Sequence, residues 1–250
     1  MVKVKVAIIT IAGLITGSFL NAVIYRIPRG ISIITPRSHC PSCETELGIQ
    51  DLIPLFSYIS TGGKCRYCGE SIGLQYLLVE LLTALSFLLL YQKLGNDLSI
   101  FFYIIPVMVM ISTTFTDLEK MMVPNKITYP AVILGFFLAI FTAKITIVNS
   151  LLGILVPGGV LLLLHAVYPQ GLGMGDVKLV AALGAFLGWK VVLLGIFLGS
   201  LFGLVAALVL LYLGVIDRRT RIPFAPLING GCFLAFIFEE PLLLFYLNLF

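Results

Sequence analysis

Asp117 and Asp176 are the residues whose positions point most directly to chemistry. Each lies where a long apolar stretch meets a polar segment, and two further apolar stretches separate them. An even number of membrane crossings returns a chain to the same face, so the two carboxylates can meet there. Two carboxylates that share one proton are the machinery of aspartic proteases, in which one activates water and the other hydrogen-bonds the scissile carbonyl. The alternative from this pattern alone is that Asp176 caps a helix and Asp117 lies at an interface.

The residues around this pair favour a functional site. Gly171, Gly173 and Gly175 precede Asp176 at the start of a helical run, and glycine lets the backbone bend sharply and lets another chain come close. Pro124 follows Asp117 and interrupts its helix. Ionisable groups at membrane depth are costly and tend to mark functional sites.

Four of the five cysteines form two Cys-x-x-Cys pairs separated by 21 residues. They are Cys40 and Cys43, followed by Cys65 and Cys68. Two such turns offer four thiolates in the tetrahedral geometry of structural zinc, and Gly69 supplies the open backbone that such a turn needs. Because four thiolates leave no open coordination position, we expect the zinc to fold this loop. Free or redox-active cysteines are the alternative, and His39 is expected to be a bystander.

The composition requires that most of the chain lie in a membrane. Its 250 residues are 60% hydrophobic and 11% charged, with a mean hydropathy of +1.10. Soluble domains are about 45–50% apolar and about 25% charged, and disordered chains are poor in apolar residues, so both classes are excluded. Roughly 160–170 residues lie in long apolar runs, which at about 20 residues per crossing supply about eight spans. The sequence therefore predicts an all-α polytopic membrane protein with about eight transmembrane helices and a zinc-binding loop.

The apolar runs divide the chain into three parts. We interpret 1–27 as a retained first span rather than a signal peptide, 28–73 as the zinc-binding loop and 74–250 as a membrane domain. The runs after the loop lie at about 74–92, 98–116, 127–147, 148–168, 177–189, 191–216 and 224–250.

Lys and Arg are distributed unequally between the two faces of this topology. The face with the loop carries Arg26, Arg29, Arg37, Lys64, Arg66, Lys120, Lys126, Lys178, Arg218, Arg219 and Arg221. The other face carries Lys3, Lys5, Lys93, Lys144 and Lys190. The excess predicts that the loop and the aspartates face the cytoplasm. Single basic residues scattered between apolar runs do not indicate a nucleic-acid surface.

Several motifs, in order along nearly the whole chain, resemble those of the bacterial prepilin peptidases (type IV leader peptidases), which are membrane aspartic proteases of the GxGD type. The motifs are Gly17–Pro28, the paired cysteines with Pro54–Tyr58, Val79–Ala84, Asp117 with Val123-Pro124, and Gly173–Leu179. Two positions are compared with the family pattern as departures. The second acid that the family often has two residues after the first aspartate is Glu119 here, and Asn125 stands where the family often has aspartate after the proline. These departures favour Asp117 as the catalytic member of its segment, with Glu119 and Asn125 as supporting groups at most.

The resemblance implies a reaction, a substrate and a compartment. Such enzymes, in the bacterial inner membrane, cut the basic leader from prepilins and pseudopilins after a glycine, and the two catalytic aspartates map onto Asp117 and Asp176. The scissile bond of such a substrate sits at the cytoplasmic face of the lipid bilayer, where we expect the glycines near Asp176 to leave room for its extended backbone.

Members of this family with the cysteine loop usually also methylate the new N-terminus with S-adenosylmethionine. The candidates for binding this cofactor are Gly62, Gly63, Lys64 and Glu80, the last because an acid within a span is unusual. Three alternatives remain at this point. They are a leader peptidase without methyl transfer, a transporter that uses the two aspartates as an ion pathway, and a zinc-loop scaffold for a secretion machine.

Overall fold

The computed structural model describes residues 2–142, 144–169, 171–217 and 220–239. Its α-helices are α1 (Val2–Arg26), α2 (Phe56–Ser60), α3 (Leu74–Leu94), α4 (Ser99–Lys120), α5 (Asn125–Thr142), α6 (Ile147–Val167), α7 (Met174–Tyr212) and α8 (Ala225–Ile237). Six of them, α1 and α3 to α7, are long and apolar enough to cross a membrane within the described ranges. The predicted all-α polytopic fold class is therefore confirmed. The chain divides into two compact units, Met1–Ile100 and Phe101–Phe250.

In the first unit, α1 packs against α3 through two glycines spaced four residues apart. A Cβ on Gly13 would lie 2.6 Å from the Cα of Ala84, and one on Gly17 would lie 2.6 Å from the Cα of Glu80. Small residues at this spacing let membrane helices approach at backbone distance. The contact brings the acid of α3, Glu80, beside the middle of α1.

Glycine contacts also hold the second unit together. Gly153 of α6 and Gly184 of α7 meet backbone to backbone, and the Ser150 hydroxyl donates a hydrogen bond to the carbonyl of Ala185 at 2.8 Å. Further along α7, Gly195 and Gly199 pack against α8. These close contacts hold α7 against both α6 and α8.

Two element boundaries differ from the predicted runs. The runs 177–189 and 191–216 form one element, α7, which is divided at Gly188, where φ is +79°. The predicted boundary near residue 147 is also a break between two helices, but it begins earlier in the chain, because α5 ends at Thr142. The next helix, α6, is capped by the Thr146 hydroxyl, which accepts a hydrogen bond from the Asn149 N–H at 3.2 Å. The run at 224–250 begins as α8, and its part beyond residue 239 lies outside the described residues, as do Arg218 and Arg219.

Candidate active site and metal centre

The structure brings Asp117 and Asp176 together in the second unit. Asp117 lies in the last turn of α4 and Asp176 in the first turn of α7. Their exposed fractions are 6% and 8%, and the carboxylates lie close enough to interact through their charges. The even number of crossings between them, α5 and α6, places both helix ends on one side of this unit. Two buried carboxylates whose charges interact can share one proton, which is the arrangement that acid–base hydrolysis uses.

The Asp117 carboxylate is held by a backbone N–H at a helix start, and Asp176 lies in the first turn of another helix. Asp117 accepts a 3.0 Å hydrogen bond through Oδ2 from the N–H of Ala225, the first residue of α8. Asp176 is the third residue of α7, and its carboxylate lies near the backbone of Gly173, the N-cap. Acidic groups are favoured at helix N-termini, where N–H groups have no partner within the helix. The alternative that Asp176 itself caps the helix does not match the structure, because the N-cap is Gly173. Asp176 lies in the first turn, and its charge interacts with that of Asp117.

A cluster of polar side chains about one helical turn from Asp117 joins the first turns of α8 to α4. The Asn229 Nδ2 donates to the carbonyl of Met110 and to the hydroxyls of Thr113 and Thr114, at 2.9, 3.0 and 2.9 Å. Asn229 lies one turn after Ala225, and the threonines lie one turn before Asp117. The cluster therefore joins α8 to α4 next to the hydrogen bond that holds the Asp117 carboxylate.

The segment that joins α4 to α5, residues 121–124, makes a sharp corner against Gly175. Met121 directly follows α4 with φ +52°, and its N–H donates to the Asp117 carbonyl at 2.8 Å. A Cβ on Gly175 would lie 3.0 Å from the Cβ of Val123. Close packing against Val123 therefore explains why a residue without a side chain occupies position 175. The expectation that the glycines leave room for a substrate backbone stays a prediction.

The other polar residues near the pair have partners of their own. Glu119 forms a surface ion pair with Lys120 at 3.8 Å, and Asn125 accepts a hydrogen bond from the Lys178 ammonium at 3.0 Å. His165 donates through Nδ1 to the carbonyl of Leu172 at 2.7 Å, which ties the end of α6 to the loop before α7. These contacts support the corner that carries the aspartates.

The four cysteine sulfurs of the first unit form one cluster in which all Sγ atoms lie within 4.8 Å of one another. The Sγ atoms of Cys40 and Cys68 are 3.9 Å apart. Zn–S bonds of about 2.3 Å in a tetrahedron place sulfurs about 3.8 Å apart, so the donor set fits zinc. His39 hydrogen-bonds the carbonyl of Arg37 instead and is not a member of the cluster.

The two cysteine turns are built in the same way. In each, the N–H of the first cysteine bonds the carbonyl five residues on, as Cys40 to Thr45 and Cys65 to Glu70. The residue after the second cysteine has positive φ in both turns, +75° at Gly69, as the sequence predicts, and +57° at Glu44, where no glycine marks it.

Neighbouring groups shift the pKa values of the cysteine thiols in different directions. Hydrogen bonds with the side chain and backbone of Thr45 lower the pKa of Cys43 to about 6. The backbone of Cys68 and Tyr67 likewise lowers the pKa of Cys65. At Cys68 the Glu70 backbone lowers the pKa, but desolvation and the three other thiols raise it by more, to about 12. Metal binding therefore requires that protons be released from the cluster.

A cavity of about 330 Å³ lies in the first unit beside the cysteine turns. Of the four cofactor candidates from the sequence, Lys64 and Glu80 line it, whereas Gly62 and Gly63 form a turn with φ of +63° and +71°. Glu80 accepts a 2.8 Å hydrogen bond from the N–H of Leu55, which is held at φ +59°. The carboxylate thus stabilises a backbone conformation that leucine rarely adopts.

Sequence reasoning did not assign functions to Asn21, Arg26 and Asn229, all of which are buried. Their signal was present, because a polar side chain within or at the end of an apolar run is costly unless it is hydrogen-bonded. Hydropathy identifies such residues, but it does not say which neighbour each one meets.

Comparison with known proteins identifies the families that this chain matches. The chain matches the Bacterial Peptidase A24 N-terminal domain over residues 11–94 and the Type IV leader peptidase family over residues 102–208. No solved structure matches the chain.

Curated relatives match over nearly the whole length. A Prepilin leader peptidase/N-methyltransferase of Bacillus subtilis is 34% identical over 97% of this chain and 98% of its own length. A protein of the same name from Neisseria gonorrhoeae is 34% identical over 82% of both chains. One from Aeromonas salmonicida is 28% identical over 97% of this chain and 94% of its own. These matches show that the chain belongs to the type IV leader peptidase family, whose curated members here bear the name prepilin leader peptidase/N-methyltransferase.

Proposed function

We propose that this protein removes the leader of type IV prepilins and pseudopilins after a glycine and then methylates the new N-terminus. Cleavage uses Asp117 and Asp176 at the cytoplasmic face of the bacterial inner membrane. The observation that carries the proposal is the pair itself, two buried carboxylates that come from separate helix ends and interact through their charges. The family membership of the chain supplies the substrate class.

The two aspartates act as a pair that shares one proton. The ionised member takes a proton from a water whose oxygen attacks the scissile carbonyl carbon, while the protonated member donates to the carbonyl oxygen. The C–N bond then breaks as the new amine takes up a proton from the pair. The N–H of Ala225 keeps the Asp117 carboxylate oriented before the substrate binds, so less side-chain rotation has to be restrained during the reaction.

Basic residues support a cytoplasmic position for this pair. Lys120, Lys126 and Lys178 lie within a few residues of the helix ends that carry the aspartates. Lys and Arg are enriched at the cytoplasmic ends of membrane helices. A prepilin has its basic leader in the cytoplasm and its apolar helix in the bilayer, so its scissile bond arrives at this level.

The cysteine loop serves a structural purpose. We assign Cys40, Cys43, Cys65 and Cys68 to zinc, and four thiolates leave no position for a reacting water. When bound, S-adenosylmethionine supplies the methyl group for the second reaction, which we assign to the first unit, with Lys64 and Glu80 among the residues near the cofactor. The domain prediction of a zinc-binding loop at 28–73 and a peptidase domain at 74–250 remains part of this proposal.

Substitution of the aspartates tests the peptidase. Asp117→Asn and Asp176→Asn keep side-chain size but remove the acid–base function, so each is expected to abolish cleavage of a purified prepilin in detergent or membranes. Glu119→Gln is the matched control, because it removes a surface carboxylate two residues from Asp117 and is expected to cleave normally. Retained cleavage by either Asn variant would overturn the assignment.

Methyl transfer has a separate readout. Purified protein is incubated with a prepilin and radiolabelled S-adenosylmethionine, and the N-terminus of the cleaved pilin is examined for label. Label on the mature pilin is the expected result. Intact cleavage without label would show a leader peptidase that lacks methyltransferase activity.

A further inference from the structure

The cavity in the first unit carries three polar side chains that are more than nine-tenths buried. Asn21, Arg26 and Glu80 line it and have exposed fractions of 5%, 5% and 8%. Its volume of about 330 Å³ falls in the range of small-molecule sites, which are mostly apolar with a few convergent polar groups. Buried polar groups of both charges at one cavity require a chemical explanation.

Arg26 is a buried cation without an anionic partner. Its Nη1 donates to the carbonyls of Ser32 and Ile33 at 3.2 and 3.4 Å, and among the described residues no carboxylate lies within ion-pair distance of it. A guanidinium has five N–H donors in a planar fork that matches a carboxylate. Because a buried unpaired charge is costly, this group is suited to a carboxylate that arrives with a ligand.

Asn21 has an acceptor atom without a donor. Its Nδ2 donates to the carbonyl of Tyr76 at 3.0 Å, whereas its buried Oδ1 has no hydrogen-bond partner in the structure. Buried polar atoms are nearly always hydrogen-bonded. The Oδ1 atom therefore offers an unused acceptor for an N–H or O–H group of a ligand.

Glu80 adds a negative charge with acceptor capacity to spare. The N–H of Leu55 donates to its carboxylate, and an ionised carboxylate has about four acceptor positions. The lining also includes the charged side chains of Asp51, Lys64, Arg66 and Glu70, and of the charged groups at the cavity only Arg26 and Glu80 are buried. The cavity thus offers a buried cation, a buried acid and the free acceptor of Asn21 beside apolar and tyrosine side chains, including Tyr58.

We propose that this cavity is the binding site for S-adenosylmethionine, an inference that rests on the methyl transfer of the proposed function. The ligand carries a carboxylate for Arg26, an ammonium and ribose hydroxyls for Glu80, and further N–H donors for Asn21. Its sulfonium is also favoured by the negative charge of Glu80. Arg26 and Glu80 thereby bind the two opposite charges of the methionine moiety, whose carboxylate and ammonium are attached to the same carbon.

Binding of S-adenosylmethionine to the full-length protein in detergent, measured by equilibrium dialysis, tests this site. Asn21→Leu and Glu80→Gln are each expected to weaken binding about tenfold to a hundredfold, the range for loss of a hydrogen bond to a charged or buried group. Glu46→Gln is the matched control, because it removes an exposed carboxylate of the same loop that does not line the cavity. Zinc content and thermal unfolding of each variant show whether the unit is folded.

A truncated ligand tests the assignment of Arg26 within the folded protein. Methylthioadenosine lacks the carboxylate and ammonium, so wild-type protein is expected to bind it about tenfold or more weakly than S-adenosylmethionine. This preference should shrink in Arg26→Gln, and shrink less in Arg26→Lys, which keeps the charge. Part of it should remain in both variants, because methylthioadenosine also lacks the ammonium and the sulfonium assigned to Glu80. Equal affinity of the wild type for both ligands would overturn the inference.

The outcomes separate this inference from the function on which it rests. Wild-type protein that methylates pilin, with affinity unchanged by Asn21→Leu and Glu80→Gln, would overturn the site and leave the function standing. Protein that cleaves prepilin but neither binds the cofactor nor transfers label would overturn methyl transfer and the site together.

Discussion

Gly175 offers a direct test of whether the corner against α7 sets the geometry of the aspartate pair. In Gly175→Ala the new Cβ would lie 3.0 Å from the Cβ of Val123 and 3.4 Å from its Cγ2. Carbon atoms prefer separations of about 3.5–4.0 Å, so the corner must move by about 0.5–1 Å. Overpacking of this kind costs about 1–3 kcal/mol, which leaves most proteins folded.

The catalytic effect is expected to exceed the effect on stability. A displacement of about 1 Å at reacting groups lowers a rate about a hundredfold, so kcat/KM for prepilin cleavage should fall about tenfold to a hundredfold. The assay is cleavage of a purified prepilin in detergent, with thermal unfolding measured on the same samples. Gly159→Ala is the matched control, because a Cβ there meets nothing within 4 Å.

A double-mutant cycle identifies the cause. Val123→Gly removes the atom that the new Cβ would meet, so Gly175→Ala should cost much less activity in the Val123→Gly background than in the wild type. Full activity of Gly175→Ala, or an equal loss in both backgrounds, would refute the idea that this contact positions the pair.

Two further predictions concern residues that hold the metal centre and the pair. Gly69→Ala places a side chain at φ +75° and is expected to weaken zinc retention by about 1 kcal/mol, whereas Glu44→Gly, at φ +57°, relieves strain and should strengthen it. Competition with a chelator measures both, and effects of the same sign would contradict the prediction. Asn229→Leu removes the hydrogen bonds from α8 to Thr113 and Thr114, and kcat for cleavage is expected to fall about tenfold, or about 1.4 kcal/mol, with little change in KM. An unchanged kcat would show that the Asn229 cluster does not position Asp117.

The break within α7 and the cap of α6 illustrate the limits of hydropathy. Apolar runs predicted an interruption near residue 190, and it occurs at Gly188, where a positive φ suits glycine. They placed the boundary between α5 and α6 too late, because Lys144 and Thr146 stand between apolar residues and did not interrupt the run. The N-cap hydrogen bond of Thr146 decides that boundary, and it depends on a single side chain.

The amino-acid sequence by itself determined the class of the protein, the four-cysteine cluster and the return of Asp117 and Asp176 to one face. Each follows from local or additive properties, namely the length of apolar runs, the spacing of two cysteine pairs and the parity of crossings. Only the tertiary structure decided that Asp117 accepts the N–H of Ala225, that Gly175 packs on Val123, and that Asn21, Arg26 and Glu80 line one cavity. Helices in a membrane are equally apolar toward lipid and toward one another, so their partners are chosen by close packing and interhelical hydrogen bonds, which composition does not record.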